Sequence, residues 1–168
     1  MLTGLTAQIS ENCRGIVLGS MPGQVSLSQV QYYAHPRNSF WPIMQNYFSF
    51  NPSNSYQQNV VQLNTSGLGL WDVIAHCQRQ GSLDSSIVAA SIQTNAFTQL
   101  FSQYSQIQHV FLNGQKAAQL FEKKVLKQLQ PEINLSIYKL PSTSPANATM
   151  TFAEKQQAWH QALSDANF

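Results

Sequence analysis

Short apolar runs closed by turn-forming residues recur along the chain and predict buried strands. They cover residues 15–19, 109–112 and 135–140. Continuous apolar runs of this length are typical of strands buried on both faces of a parallel sheet. Residues 68–73 are the candidate for a fourth strand, although the same pattern would also suit a turn that leads into the next helix.

Between these runs, apolar positions recur at helical spacing. The predicted helices cover residues 41–50, 56–63, 70–80, 96–104, 115–129 and 152–163. Strands that alternate with helices favour β–α–β units, and therefore a mainly parallel sheet with helices on both faces. The sequence thus predicts an α/β fold, a three-layer sandwich around a central, mainly parallel sheet of four strands.

The length and the organisation of the chain fit one domain. A chain of 168 residues can bury one well-filled core but is short for two, and neither an internal repeat nor a low-complexity linker divides it. We therefore expect residues 1–168 to form one domain and to act as a monomer. No segment approaches the roughly 18 apolar residues of a membrane span, and no leader-like pattern opens the chain, which favours a cytoplasmic protein.

Charge and cysteine content narrow the possible chemistry. Only 10% of the residues are charged and the formal net charge is +2, which does not indicate the basic patch of many nucleic-acid binders but allows a binder with few phosphate contacts. Cys13 and Cys77 lack the paired spacing of a zinc or iron–sulfur site, so we expect reduced, buried thiols, no metal and no cofactor. Gly-x-Ser-x-Gly, Walker and Gly-x-Gly-x-x-Gly motifs are absent, which argues against an α/β hydrolase or a nucleotide-binding protein.

A polar loop follows each of three predicted strands. The loops span residues 20–40, 113–115 and 141–147. Because the carboxyl ends of parallel strands lie at one edge of a sheet, the three loops should meet there, where open α/β sheets bind their ligands. The first loop and its continuation to residue 41 carry an imidazole, a guanidinium, a carboxamide and four aromatic rings. The sequence therefore predicts a pocket for a flat, polar ligand.

These residues resemble the uracil-DNA glycosylase superfamily, and most closely its hypoxanthine-DNA glycosylase branch, also called DNA-deoxyinosine glycosylases. The resemblance covers most of the chain. It rests on Gly-x-x-Pro-Gly at residues 19–23, Tyr-Tyr-Ala-His-Pro-Arg-Asn-Ser-Phe-Trp at 32–41, Leu-Trp-Asp-Val at 70–73, Gly-Ser-Leu-Asp at 81–84, Leu-Asn-Gly at 112–114 and Leu-Pro-Ser-Thr-Ser-Pro-Ala-Asn at 140–147. It implies a uracil-DNA glycosylase-like α/β sandwich. It also implies a monofunctional, metal-free repair enzyme that hydrolyses the N-glycosidic bond of deaminated bases in DNA, with hypoxanthine as the first candidate and uracil or xanthine as further ones.

One departure from a better-known branch sharpens this assignment. Mismatch-specific uracil glycosylases share the first motif but place a catalytic Asn directly before its Pro, where this chain has Met21. A thioether cannot orient a water molecule through strong hydrogen bonds. In the hypoxanthine branch the resemblance assigns that role to the Asn of the His-Pro-Arg-Asn segment, here Asn38. N-glycosidic cleavage passes through an oxocarbenium-like sugar, so a neutral amide that positions water is sufficient.

The resemblance also suggests roles for other residues of the motifs. Asn113 is the second candidate catalytic residue, suited to bond the edge of the base. Phe40 is the candidate stacking platform for a base flipped out of the duplex. The other base-binding candidates are Gly19, Ser20, Met21, Pro22, Gly23, Tyr33 and His35, and the DNA-binding candidates are Arg37, Ser142, Ser144, Pro145, Ala146 and Asn147.

Other interpretations stay open at this point. Asn38 could cap the following helix, since Asn is a favoured capping residue, and Asn113 before a Gly could be an ordinary turn. His35 could pack against neighbouring aromatic rings. The protein could instead be a uracil or mismatch glycosylase, or a module that binds damaged bases without cutting. Asp72 and Asp84 are the candidate acids if the assignment of Asn38 is wrong.

Overall fold

Seven strands form two sheets in the computed structural model, which describes all 168 residues. The strands are β1 (Leu2–Thr3), β2 (Gly15–Gly19), β3 (Leu68–Asp72), β4 (Ile74–Cys77), β5 (Gln93–Thr94), β6 (His109–Asn113) and β7 (Ser136–Leu140). Strands β3, β2, β6 and β7 lie side by side in that order, and every neighbouring pair is parallel. Strands β1, β4 and β5 form a small antiparallel sheet.

Six α-helices surround the parallel sheet. They are α1 (Gln24–Gln29), α2 (Phe40–Phe48), α3 (Tyr56–Thr65), α4 (Phe97–Gln103), α5 (Gln115–Leu120) and α6 (Phe152–Asp165). The chain continues from α5 through a π-helical turn, Phe121–Val125, and a 3₁₀ turn, Leu126–Gln128. Helices α3 and α6 each begin with a capping box, which satisfies backbone N–H groups that a helix start leaves free. None of the helices combines the length and the hydropathy that a membrane crossing requires.

The parallel sheet separates two hydrophobic cores. Ile16 and Leu18 of β2 belong to one core and Val17 to the other, because successive side chains of a strand point to opposite faces. Helices α4 and α5 cover the first core, whereas α2, α3 and α6 cover the second. The sheet is therefore the middle layer of three, which confirms the predicted α/β sandwich.

The order of the strands opens a crevice at the carboxyl ends of β2 and β6. The connection that leaves β2 passes through α2 and α3 on one face of the sheet, whereas the connection that leaves β6 enters α5 on the other. A crevice forms where the connections of neighbouring strands diverge in this way, and open α/β sheets bind ligands there. Gly19 and Asn113 end the two strands at this point.

The predicted helix over residues 70–80 is wrong, whereas the candidate fourth strand beside it is confirmed. Leu68–Asp72 pairs in parallel with Gly15–Gly19, and Ile74–Cys77 pairs with β1 and β5. These partners are distant along the chain, so tertiary pairing overrides the local helical periodicity. The other five predicted helices form within a few residues of their expected bounds, although α5 and its π and 3₁₀ turns share residues 115–128. Helix α1 and the short strands β1 and β5 were not predicted. Cys13 and Cys77 are buried and free, as expected.

Candidate active site

A cavity of about 510 Å³ lies at the crevice between β2 and β6. Residues of all three predicted loops line it, and a fourth segment, residues 82–84, joins them. The lining residues are Gly19, Ser20, Met21, Pro22, Gly23, Gln24, Val25, Ser26, Tyr32, Tyr33, His35, Asn38, Asp72, Ser82, Leu83, Asp84, Asn113, Ser142, Thr143, Ser144, Pro145 and Ala146. The volume lies within the range of small-molecule sites, roughly 300–1,000 Å³.

A buried arginine fixes the turn at residues 19–23. The Arg79 guanidinium donates to the carbonyl oxygens of Met21 and Pro22 at 3.3 and 2.5 Å, and its Nε donates to that of Gly81 at 3.0 Å. Charged donors make stronger hydrogen bonds than neutral ones, so the turn is held firmly. The Met21 side chain packs in the first core. Met21 also lines the cavity, so the turn presents a thioether, and not an amide, directly before Pro22.

Two hydrogen bonds tie residues 82–84 to the same turn. The backbone N–H of Gln24 donates to Ser82 Oγ at 2.9 Å, and Ser20 Oγ donates to Asp84 Oδ1 at 2.6 Å. Between these anchors, Leu83 is 54% exposed at the cavity rim. The rim therefore carries a large apolar side chain on a fixed segment.

Asn38 lines the cavity and also holds the turn that leads into α2. Its Oδ1 accepts a hydrogen bond from the Phe40 N–H at 3.0 Å, and its own N–H donates to the His35 carbonyl at 2.8 Å. A carboxamide has two acceptor lone pairs and two donor hydrogens. The bond to the Phe40 N–H therefore leaves one lone pair of Oδ1 and the Nδ2 group of Asn38 free. Asn38 thus stabilises the start of α2, as the capping interpretation predicts, and also lines the cavity.

Phe40, the candidate stacking platform, does not line the cavity. Its side chain is fully buried in the second core. Tyr33 does line the cavity and packs on Phe40, with ring centroids 4.1 Å apart. The backbone of Tyr33 has φ 56°, a left-handed conformation that is costly for a residue other than glycine and is concentrated at functional sites. Tyr33 thus stands at the cavity wall with Phe40 as its support.

Asn113 joins the end of β6 to the loop at residues 142–147. Its Nδ2 donates to Thr143 Oγ1 and its Oδ1 accepts from the Thr143 N–H, both at 3.0 Å. Thr143 is fully buried, and its carbonyl accepts from the Ser39 N–H at 2.9 Å. The Asn113 amide therefore couples two of the cavity loops and, through Thr143, the segment that carries Asn38.

Hydrogen bonds within the loop at residues 142–147 fix its shape. Ser142 Oγ accepts from the Ser144 N–H, and Ser144 Oγ accepts from the Ala146 N–H, both at 3.2 Å. From α6, the buried Lys155 donates to the Ser144 carbonyl at 3.2 Å. Asn147 does not line the cavity, and its Nδ2 donates to the Ser142 carbonyl at 3.2 Å. Asn147 therefore helps to fix the shape of the loop without lining the cavity.

His35 and Arg37 belong to the turn that precedes Asn38. His35 lines the cavity, and its Nδ1 accepts from the Arg37 N–H at 3.1 Å. Arg37 is exposed and lies outside the cavity lining. Of the two candidates in this turn, the base-binding candidate His35 therefore lines the cavity, and the DNA-binding candidate Arg37 faces solvent.

Two buried polar atoms at the cavity have no hydrogen-bond partner in the protein: Asp72 Oδ2 and the Tyr33 hydroxyl. Asp72 ends β3, lies in register with Gly19 and is 3% exposed. A Cβ on Gly19 would lie 2.4 Å from Asp72 Oδ1 and 3.6 Å from the Tyr33 hydroxyl, so only glycine leaves room for the carboxyl group. Buried polar atoms without partners are rare, and here both belong to residues that line one cavity.

Burial determines the protonation of the two carboxyl groups in the cavity. Burial, reinforced by the nearby Asp84, raises the pKa of Asp72 to about 8, and Arg79 opposes the shift. Burial also raises the pKa of Asp84, while the hydrogen bond from Ser20 lowers it in part. Asp72 is therefore mostly a neutral acid at pH 7 and can donate a hydrogen bond. An acid perturbed in this way inside a cleft is typical of a functional site.

Sequence reasoning did not single out several residues that build this cavity. Arg79, Thr143 and Lys155 each act through buried contacts with partners elsewhere in the chain, which no local pattern reveals. The sequence made Asp72 a candidate acid only if the assignment of Asn38 is wrong. Its position at the carboxyl end of a buried apolar run is the signal that could have identified it as a site residue, because that end of a strand faces the ligand crevice.

Comparisons with known proteins agree with the resemblance seen in the motifs. A family model for the Uracil DNA glycosylase superfamily matches residues 6–163. A hypoxanthine DNA glycosylase of Methanosarcina barkeri is 31% identical over 161 residues, which cover 95% of this chain and 96% of the relative. One of Methanosarcina acetivorans is 32% identical over 145 residues, which cover 86% of this chain and 87% of the relative.

A solved structure has a fold similar to that of this chain. The solution NMR structure of a Methanosarcina acetivorans protein, provisionally described as a uracil DNA glycosylase, superposes with a TM-score of 0.76 at 28% identity. The match covers 95% of this chain and 97% of that one. The chain belongs to the uracil DNA glycosylase superfamily, which confirms the resemblance seen in its motifs. It is a DNA glycosylase, and the relatives named above are hypoxanthine DNA glycosylases.

Proposed function

We propose that the protein is a monofunctional hydrolase that releases hypoxanthine from deoxyinosine in DNA, with uracil and xanthine as further candidate substrates. One observation carries the proposal: Asn38 lines the cavity, whereas the position before Pro22, which also lines it, carries Met21, whose thioether cannot orient a water molecule through strong hydrogen bonds. The identity to hypoxanthine DNA glycosylases over nearly the whole chain supports the same substrate.

In the proposed reaction Asn38 positions the attacking water. Its Oδ1 keeps one lone pair beyond the bond to the Phe40 N–H and can accept a hydrogen bond from that water. Positive charge develops on the sugar as the C1′–N bond breaks, water adds to C1′, and the proton of the water passes to solvent. No lysine lines the cavity, which supports hydrolysis by water over attack by an amine that would form a Schiff base.

The flipped base is proposed to lie between the turn at residues 19–23 and the Tyr33 ring. Tyr33 takes the stacking role that the sequence assigned to Phe40, because Tyr33 lines the cavity and Phe40 supports it. Asn113 keeps one N–H and one lone pair beyond its bonds to Thr143, and these suit the edge of hypoxanthine. A rigid turn and a supported ring give the pre-formed walls that a small-molecule site requires.

The rim of the cavity is proposed to contact the DNA duplex. A stacked base is inaccessible, so the enzyme must extrude it and fill the space that it leaves. Arg37 is exposed close to the cavity and can neutralise a phosphate. Ala146 and Leu83 are exposed rim residues, and Leu83 is the larger side chain, fixed between two anchored neighbours. Leu83 is therefore the better candidate to enter the base stack.

A single-turnover assay on oligonucleotides tests this function. Deoxyinosine, deoxyuridine or deoxyxanthosine is placed at one position in single-stranded and duplex DNA, and abasic product is revealed by alkaline cleavage. We expect deoxyinosine to be processed fastest. Fastest release of uracil would instead favour a uracil or mismatch glycosylase. Tight binding of deoxyinosine DNA with no abasic product between pH 5 and pH 9 would favour a binding module and overturn the proposal.

A further inference from the structure

Asp72 is the feature of the cavity that the proposed attack by water leaves unused. Asp72 is 3% exposed, it lines the cavity, and its Oδ2 has no partner in the protein. The hydrogen bonds of the Arg79 guanidinium go to three carbonyl oxygens and not to Asp72. The chain's one ion pair joins Lys139 to Glu122, so no ion pair neutralises Asp72. An unpaired buried carboxylate is strongly unfavourable, so the local structure favours the neutral acid of Asp72 in the wall of the cavity.

The departure of a purine is the step that such an acid can assist. When the C1′–N9 bond breaks, its electron pair stays on the base. An unprotonated hypoxanthine would leave as an anion, whereas protonation at a second ring nitrogen lets it leave as a neutral molecule. Proton donation to a leaving group by a positioned side chain typically accelerates a reaction roughly 10²–10⁴-fold. Asn38 and Asn113 cannot supply this proton because a carboxamide does not ionise at these pH values.

We propose that Asp72 is a further catalytic residue, the general acid that protonates N7 or N3 of hypoxanthine as the C1′–N9 bond breaks, an inference that rests on the proposed function. The Asp72 O–H bond breaks, the new N–H bond forms on the base, and Asp72 becomes a carboxylate. Water held by Asn38 forms the C1′–O bond and loses its proton to solvent. After the base departs, Asp72 takes a proton from solvent, so the cycle consumes one water and no other reactant.

The surroundings of Asp72 define the expected pH dependence. The titratable and charged groups that act on it or lie against it are Asp84, Arg79, Tyr33 and Tyr32. Burial and Asp84 raise the pKa of Asp72 to about 8 despite Arg79, and burial raises the pKa values of both tyrosines above their ordinary range. The acid form of Asp72 therefore prevails below pH 8, and the rate of hypoxanthine release should fall above it.

Substrate analogues that lack one ring nitrogen separate catalysis by Asp72 from a structural role. Single-turnover rates are measured for the wild type and Asp72→Asn on DNA that contains deoxyinosine, 7-deaza-deoxyinosine or 3-deaza-deoxyinosine, from pH 5 to pH 9.5. Asp165→Asn, an exposed change of the same charge on α6, is the control. Thermal unfolding shows that each variant is folded.

We expect Asp72→Asn to slow release of hypoxanthine by about 100-fold or more, to remove the fall in rate above pH 8, and to have little effect on one of the two deaza substrates. Equal slowing on deoxyinosine and both analogues, or an unchanged alkaline limb, would overturn the inference. If Asp72→Asn does not fold, the wild-type profile decides: an alkaline limb on deoxyinosine that is absent from one analogue supports the inference, and its presence on both analogues overturns it. Failure of the wild type to release hypoxanthine would overturn the proposed function itself.

Discussion

Replacement of Asp72 by Asn should stabilise the protein at alkaline pH. The pKa of Asp72 is about 8 in the folded protein and near 3.8 in the unfolded chain. Between these pH values the folded state holds more protons than the unfolded state, so the contribution of Asp72 to stability is present below pH 4 and is lost as pH rises to about 8. Asparagine does not ionise and escapes this loss.

The size of the effect follows from the same pKa difference. At about 1.4 kcal/mol per pKa unit, the wild type loses on the order of 5 kcal/mol of unfolding free energy through Asp72 between pH 4 and pH 8. An imperfectly bonded amide in its place costs about 1–3 kcal/mol. The net gain of Asp72→Asn at pH 8.5 is therefore on the order of 2–4 kcal/mol. For a chain of this length that corresponds to a rise in Tm of roughly 5–10 °C.

Differential scanning calorimetry of the wild type, Asp72→Asn and the control Asp165→Asn at pH 4.5 and pH 8.5 measures the effect. We expect Asp72→Asn to melt above the wild type at pH 8.5 and at or below it at pH 4.5, and Asp165→Asn to show no such reversal. A loss of stability of the same size at both pH values would refute the reasoning, because it would mean that Asp72 is ionised without penalty in the folded protein.

Three further changes test other parts of the site. Tyr33→Phe removes a buried hydroxyl that has no partner, so we expect the unfolding free energy to stay constant or rise by about 1 kcal/mol in urea titrations, and a loss above about 1 kcal/mol would reveal a partner. Gly19→Ala brings a Cβ to 2.4 Å from Asp72 Oδ1, whereas Gly23→Ala meets only Ser82 at 3.5 Å. The first should lower stability by about 1–3 kcal/mol and the second should not, and equal effects would contradict the packing at Gly19. Arg37→Ala should weaken binding of DNA of any sequence and reduce the slope of log K against log salt by about one. An unchanged slope would remove Arg37 from the DNA-contacting surface.

The strands of the parallel sheet were predictable because their signal is local. β2, β6 and β7 are short, largely apolar runs that end at or just before Gly, Asn or Pro, whereas β3 ends at Asp72. Burial on both faces accounts for the pattern of β2 and β6. Strand β7 lies at the sheet edge and none of its residues is buried, so its predicted burial is wrong. The segment after β3 was not predictable in the same way. Ile74–Cys77 becomes a strand because Leu2–Thr3 and Gln93–Thr94 pair with it, and its own sequence fits a helix equally well.

The candidate site also combines features that local sequence patterns predict with features that depend on distant contacts. The convergence of three loops follows from parallel strands, so the sequence could place Asn38, Asn113 and Ser142 near one cavity. The sequence could not show that Tyr33 lines the cavity whereas Phe40 is buried, because two nearby aromatic residues look alike until the left-handed backbone of Tyr33 and the burial of Phe40 separate them. The role of Arg79 at the turn of residues 19–23 could not be predicted either, because its partners there are backbone carbonyl groups far away in the sequence.

Mass-spectrometric detection of free hypoxanthine is the most direct test of the central claim, that the cavity releases this base with water positioned by Asn38. The wild type and Asn38→Ser are incubated in excess over a deoxyinosine duplex, since serine retains a capping oxygen at the start of α2 and loses the amide. We predict stoichiometric release of hypoxanthine by the wild type, and a rate lower by about 100-fold or more for Asn38→Ser with Tm and DNA binding retained. No hypoxanthine from the wild type, or full activity of Asn38→Ser, would contradict the account.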